Sequence, residues 1–174
     1  MQNDFCNGGS MTFENALEII PIINRTRDNY DYTIFIKKTY PDNHAIFKEY
    51  GGKLPKHCIE NTYGQKIHDD IIIKNTDYII NIGCLQKYDS NSAFFEAEDI
   101  EKETKLKTIL DMNDIKNLYF CGNDMEKVIF STIMDAINRR YKCYIVENSI
   151  TFNNKEKSQK LLDYLSMLKI ECVQ

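Results

Sequence analysis

Apolar positions along this chain fall into two rhythms. Residues 32–36 (YTIFI), 78–84 (YIINIGC), 118–121 (LYFC), 143–146 and 170–173 are short, near-continuous runs rich in β-branched and aromatic side chains. Such runs are expected of strands buried on both faces. Between them, apolar residues recur at helical spacing over residues 12–24, 104–112, 125–136 and 156–168. In the first helix Leu17, Ile20 and Ile23 share one side, and Pro21 is expected to kink or break it. Strands alternating with helices predict the α/β class, here a three-layer α/β/α arrangement around a mostly parallel, doubly wound sheet. Residues 37–76 carry Pro41, Gly51, Gly52, Pro55 and Gly64 and predict a long irregular connection. A connection of that length inside a compact domain is usually functional or an interface element.

The stretch 118–136 (LYFCGNDMEKVIFSTIMDA) organises the rest. An apolar strand runs into a Gly122-Asn123-Asp124 turn, and a helix follows with Val128, Ile129, Ile133, Met134 and Ile137 at helical spacing. Asp124 is the expected N-cap, its carboxylate accepting from amides of the first turn. Ligands of open α/β sheets bind beyond the carboxyl ends of the strands, and a helix N-terminus offers donors to an anion or oxyanion. This is a place for a nucleophile, yet Met125, Glu126, Lys127 and Val128 include neither cysteine nor serine.

Composition narrows the classes. With 174 residues, one well-buried domain is the default. A formal charge of −4 lacks the basic excess of a nucleic-acid binder. No apolar run reaches the roughly 20 residues of a membrane span, so no membrane partner is expected. Six cysteines (6, 58, 84, 121, 143 and 172) lie scattered without CxxC pairing, which predicts reduced thiols and an intracellular, by default cytoplasmic, protein. No signal or transit segment is visible in residues 1–10, although targeting information could precede them.

Five segments, in order, resemble the motifs of the nicotinamidase/isochorismatase-like hydrolase family. Residues 2–10 (QNDFCNGGS) resemble its DxQNDFxxGGS signature, and Pro21 to Asn24 the end of its first helix. Residues 54–64 (LPKHCIENTYG) resemble its WPxHCVxGTxG loop, and residues 89–94 (DSNSAF) its DSYSAF turn. Residues 122–136 resemble its GxxTDxCVxxTxxDA strand–turn–helix. The resemblance implies the isochorismatase-like hydrolase fold over 1–174 as a single domain. It also places the family's first strand and catalytic Asp immediately upstream of Met1.

That family works with an Asp, a Lys and a Cys whose thiolate attacks a carbonyl, beside an oxyanion hole of backbone amides. By the same resemblance, Ile82 stands at the Lys position and Val128 at the Cys position. Neither hydrocarbon takes up a proton or attacks a carbonyl. Nicotinamidases of the family add a divalent metal on a DxH pair and the histidine of the HC loop; here His57 remains, while Lys38 and Tyr40 occupy the pair. A lysine ammonium repels a cation, so no cofactor is expected, zinc or another divalent metal only if the chain is active. Lys38 is expected to fill part of the metal pocket, paired with Glu49.

Phe5, Leu54, Asn91, Phe94 and Asn123 are the candidate pocket residues that the resemblance suggests. Residue by residue, the plainer readings are a hydrogen-bonded structural His57, exposed His44 and His68, core phenylalanines, and an inert Cys121 buried in its strand. The expectation is a non-catalytic family member reused in a homo-oligomer or larger assembly, with a small aromatic amide as a possible ligand. The alternatives are an active amidohydrolase acting on nicotinamide or a similar amide, and a small-molecule sensor.

Overall fold

The computed structural model describes all of residues 1–174. Seven strands form: β1 (Ile34–Lys38), β2 (Tyr78–Ile82), β3 (Phe95–Ala97), β4 (Lys102–Glu103), β5 (Asn117–Gly122), β6 (Lys142–Ile150) and β7 (Glu171–Val173). The helices are α1 (Ile20–Thr26), α2 (Leu106–Met112), α3 (Phe130–Asn138) and α4 (Lys155–Met167). Each apolar run of the sequence lies in or beside a strand, because its β-branched and aromatic side chains fit a surface packed on both faces.

Parallel pairing is as expected, and the α/β class holds. The ladder is divided, however. β1 pairs only with β2, while β5, β6 and β7 form a second parallel sheet; β3 and β4 make a small antiparallel pair. On one face, Ile80, Ile82, Cys143 and Ile145 share a core with Leu106 and Leu110 of α2, Ile133 and Ala136 of α3 and Leu165 of α4. Ile34 and Ile36 of β1 and Leu118 and Phe120 of β5 pack against that same core. On the other face, Phe35 packs with Ile20, Ile23 and Ile71 around α1. Side-chain alternation along β1 thus separates two helical layers.

The first helix differs from the expectation for 12–24. Residues 14–19 wind through consecutive turns, Asn15 is left-handed (φ 62°), and α1 begins only at Ile20. Pro21 sits in the first turn of α1, where its fixed φ and missing N–H suit a start, so it opens the helix instead of kinking it. Residues 39–77 are irregular as expected, tied by isolated bridges such as Tyr40 with Ile59 and Phe47 with Leu54.

One buried ion pair fastens this connection to α1. Arg27 Nη2 donates to both carboxylate oxygens of Asp77 at 2.8 and 2.9 Å, and the two side chains are only 5% and 3% exposed. Arg27 also donates to the carbonyl of Ile72. Removing one partner strands a buried charge, so Asp77→Ala should cost about 3–5 kcal/mol in urea unfolding. Leu17→Ala, at an exposed position, should stay within about 0.5 kcal/mol of the parent.

Candidate functional site

Lys38, Tyr40, Ile82 and Asn123, all singled out in the sequence, lie at or just past the carboxyl ends of β1, β2 and β5. Lys38 ends β1 and is buried. Its Nζ donates to Asp89 Oδ1 at 2.7 Å and to the Ser90 carbonyl, and lies 5.4 Å from the centre of the Tyr40 ring. Tyr40 Oη reaches the same Asp89 Oδ1 at 3.1 Å. Burial, then the neighbouring Asp89, holds the Tyr40 phenol well above its usual range, so it stays a neutral donor. Glu49 is not the partner of Lys38: it lies 3.9 Å from Lys56 instead. Asp89, far off in sequence, takes that role because its turn packs beneath the end of β1.

Tyr40 meets Phe47, His44 and His57 ring to ring, with centroids 5.5, 4.7 and 5.2 Å apart. Gly83 follows β2 at φ +78°, and a Cβ there would come within 2.5 Å of Tyr40 Cε1. His57, 3% exposed, hydrogen-bonds the Pro55 carbonyl through Nδ1 at 2.8 Å. Desolvation is the main reason that its pKa falls below the ordinary histidine value, which keeps the ring neutral. His44 is not exposed as expected. It is buried, with Nδ1 accepting from Ile46 N at 3.0 Å and Nε2 3.0 Å from the Tyr88 carbonyl. His68 is half-buried, accepting from Asp70 N.

Two residues of the opening motif hold these loops in place. Asp4 Oδ2 accepts from Cys58 N at 2.6 Å, bracing a left-handed residue (φ 49°) next to His57. Its carboxylate rests against Gly64, where any Cβ would collide with it. Gln2 Oε1 accepts from Lys38 N at 2.8 Å, and its Nε2 donates to the carbonyls of Lys38 and Gln65 at 2.7 and 2.8 Å. In the folded chain these two side chains satisfy backbone groups.

The turn after β5 departs from the capping expectation. Asp124 is left-handed (φ 73°) and its side chain makes no capping bond. Its main-chain carbonyl accepts from Ile129 N at 3.1 Å, which winds Met125–Ile129 as a π-helical turn ahead of α3. The Met125 amide is taken by the Thr151 carbonyl at 3.2 Å, so it is not free to face an oxyanion. Asp124 Oδ1 and Asn123 Nδ2 are buried without partners. Burial foremost raises the Asp124 carboxyl above its ordinary range. Asn123 Oδ1 accepts from Thr151 Oγ1 at 3.1 Å.

Val128 is half-buried, and its carbonyl accepts from Thr132 Oγ1 at 2.6 Å. Ile82 is fully buried in the main core. Glu126 accepts from the amides of Asn153 and Asn154 and from Ser158 Oγ, capping α4 from outside it. Sequence spacing gave no sign of that partnership.

The other candidates separate. Phe5 is half-buried, its ring 5.8 Å from that of His57. Leu54 is tied through its backbone to Ile46 and Lys48. Asn91 is exposed, and only its amide is engaged, by Glu98 Oε1. Phe94 is core, stacked on Tyr141 just ahead of β6, so it does not line a pocket at the strand ends. Cys121 is exposed to solvent, against the expectation of burial within its strand. No thiol is activated. Desolvation raises Cys6, Cys58, Cys84, Cys121, Cys143 and Cys172 alike, Cys84 and Cys143 to about 11.

The residues present do not fit the divalent metal that the resemblance implies. No three His, Cys, Asp or Glu side chains converge as ligands. The Lys38 ammonium, with its own carboxylate partner, stands beside His57 and Tyr40 where a second cation would be repelled.

Comparison with known proteins agrees with this geometry. The isochorismatase domain matches residues 1–172. The nicotinamidase of Schizosaccharomyces pombe is 26% identical over 199 residues, spanning 99% of this chain and 89% of that protein. The nicotinamidase of Acinetobacter baylyi is 27% identical over 162 residues, spanning 84% of this chain and 75% of its own. The crystal structure of the pyrazinamidase of Pyrococcus horikoshii, in complex with zinc, superimposes with a TM-score of 0.90. It is 26% identical to this chain and covers 100% of it and 94% of its own length. Parallel strands, covering helices and motif order all agree with that match: this chain belongs to the isochorismatase domain family.

Proposed function

We propose that this chain is a non-hydrolytic member of the family, its fold kept and its surface used for association with itself or with another protein. The observation that carries the reading is geometric: the turn that opens α3 holds Val128 and no thiol, and burial holds all six cysteines above their ordinary pKa besides. A cysteine nucleophile needs the opposite shift and a base beside it. Hydrocarbon at Ile82 and Val128 and an engaged Met125 amide support the same conclusion. Exposed Tyr50, Tyr63, Ile72 and Ile73 on the long connection, and Tyr164, Met167 and Leu168 at α4, favour the associating role. The family kinship makes amide hydrolysis the direct test.

A second reading rests on Asn123 and Asp124. One orphaned donor and one orphaned acceptor, adjacent in sequence, complement a carboxamide. The chain would then bind a small amide without turning it over. Nicotinamide that binds should raise the melting temperature, and Asn123→Ala should abolish the shift.

Incubation with nicotinamide or pyrazinamide should release no ammonia above a heat-denatured control. Turnover abolished by one point substitution would overturn the proposal.

Alkylation by iodoacetamide gives a second measure. A raised pKa leaves the thiolate scarce at neutral pH, on the order of one part in ten thousand for a pKa near 11. The labelling rate of Cys84 should therefore climb about tenfold per pH unit between 7 and 10. A cysteine whose labelling is already maximal at pH 7 would contradict the assignment.

Zinc or manganese titration should show no stoichiometric binding and no change in melting temperature; binding lost on His57→Ala would show the site to be a metal centre after all. Lys38→Met leaves Asp89 without its counter-ion. Because Asp89 keeps some solvent contact, the expected loss is about 2–3 kcal/mol in chemical unfolding.

A further inference from the structure

The ladder between β5 and β6 is interrupted once. Phe120 pairs with Ile145 and Gly122 with Ile150, so Cys121 alone stands opposite four residues of β6, Val146 to Ser149. The excursion is pinned at both ends. Ser149, fully buried, donates from Oγ to the Val146 carbonyl at 2.7 Å, and Thr151 N rejoins the ladder on the Gly122 carbonyl at 3.1 Å. Asn148 takes the left-handed region (φ 55°), which asparagine tolerates better than most residues. Bulges re-aim side chains, and here the exposed residues that the bulge turns out are Glu147 and Asn148.

Both reach a cleft of about 430 Å³ between the bulge and the last turn of α1, within the roughly 300–1,000 Å³ of small-molecule sites. Its floor is apolar, made by Ile22 of α1 and by Val146, which is only 2% exposed. Arg25 and Asn29 come from the α1 side, Glu147 and Asn148 from β6. Elsewhere such side chains are committed. Arg27 holds Asp77, Arg139 holds Glu103, and Asn24 bonds the Asp70 carbonyl and the Ile72 amide. Arg25 and Glu147 pair neither with each other nor with any other charge, and the two asparagine side chains bond nothing.

A guanidinium and a carboxylate that share one concavity without closing on each other leave room for a molecule carrying the complementary pair. A ligand with a single charge would satisfy one wall and leave the other unmatched, so the arrangement discriminates for two. We propose that this cleft binds a small zwitterion of the chemical class of a free α-amino acid, its carboxylate on Arg25 and its ammonium on Glu147. The carbon body then lies over Ile22 and Val146, and Asn29 and Asn148 serve whatever further polar group the side chain carries. None of these residues belongs to the centre of Lys38, Tyr40 and His57 or to the Asn123–Asp124 pair. The site therefore stands whether or not an amide binds at the strand ends.

The test is calorimetric titration of the purified chain with the common α-amino acids to millimolar concentration, with propionate and propylamine as singly charged controls. The expected result is saturable binding of at least one amino acid, with both controls at least about tenfold weaker. Arg25→Gln and Glu147→Gln should each weaken that amino acid about tenfold or more. Because both side chains are exposed and unpaired, neither substitution should move the urea midpoint. Asn123→Ala should bind the amino acid as the parent does, which separates this cleft from the Asn123–Asp124 pair. Absence of saturable binding across the amino acids would overturn the proposal. So would controls that bind equally well, binding that survives either charge substitution, or binding lost on Asn123→Ala.

Discussion

A buried ammonium sets the shape of the strand ends. Withdrawing Lys38 from water costs several kcal/mol unless its surroundings return most of that in charge and hydrogen bonds. Asp89, the Ser90 carbonyl and the face of Tyr40 supply them. Their geometry then fixes the rest: the 88–92 turn is drawn under β1, Tyr40 is pressed among three rings, and Gly83 must lack a side chain for Tyr40 to fit. The centre that results has its charge already balanced, the Lys38 ammonium paired with the Asp89 carboxylate. It is suited to holding loops together and poorly suited to receiving another cation.

Around that centre, side chains repeatedly serve distant backbone. Gln2 completes the edge of β1, Asp4 secures the left-handed Cys58, and Glu126 caps a helix that starts nearly thirty residues later. Each bond reaches across the fold between segments that are irregular or lie at the ends of elements, where main-chain pairing runs out. The polar residues of the region are thus largely occupied with structure. Asn123 and Asp124 are the contrast, with one polar atom each left buried and unbonded.

What could be read in advance follows from the range of the forces involved. Strands and the strand–turn–helix at 117–138 were legible because burial on both faces imposes a local pattern. Where the outcome depended on contacts far apart in sequence, reading failed. Residues 14–19 have helical spacing yet form turns, and Pro21 opens α1 because a proline lacking its N–H is harmless only in a first turn. Asp124 has the residue type of a cap, but its backbone is left-handed and its side chain makes no capping bond. The partner of Lys38 lies fifty-one residues away and could not be told from Glu49 by spacing. At the site, the hydrocarbon nature of Ile82 and Val128 was plain in the sequence. The desolvation that raises every thiol became visible only in three dimensions.

Tyr30, Tyr119 and Tyr144 lie in a row, with centroids 4.6 and 4.7 Å apart, and the chain contains no tryptophan. Phenol rings so close couple their electronic transitions, and no indole masks the signal. Near-ultraviolet circular dichroism of this protein therefore carries an intrinsic optical gauge of how its two half-sheets are set against each other, with no label required.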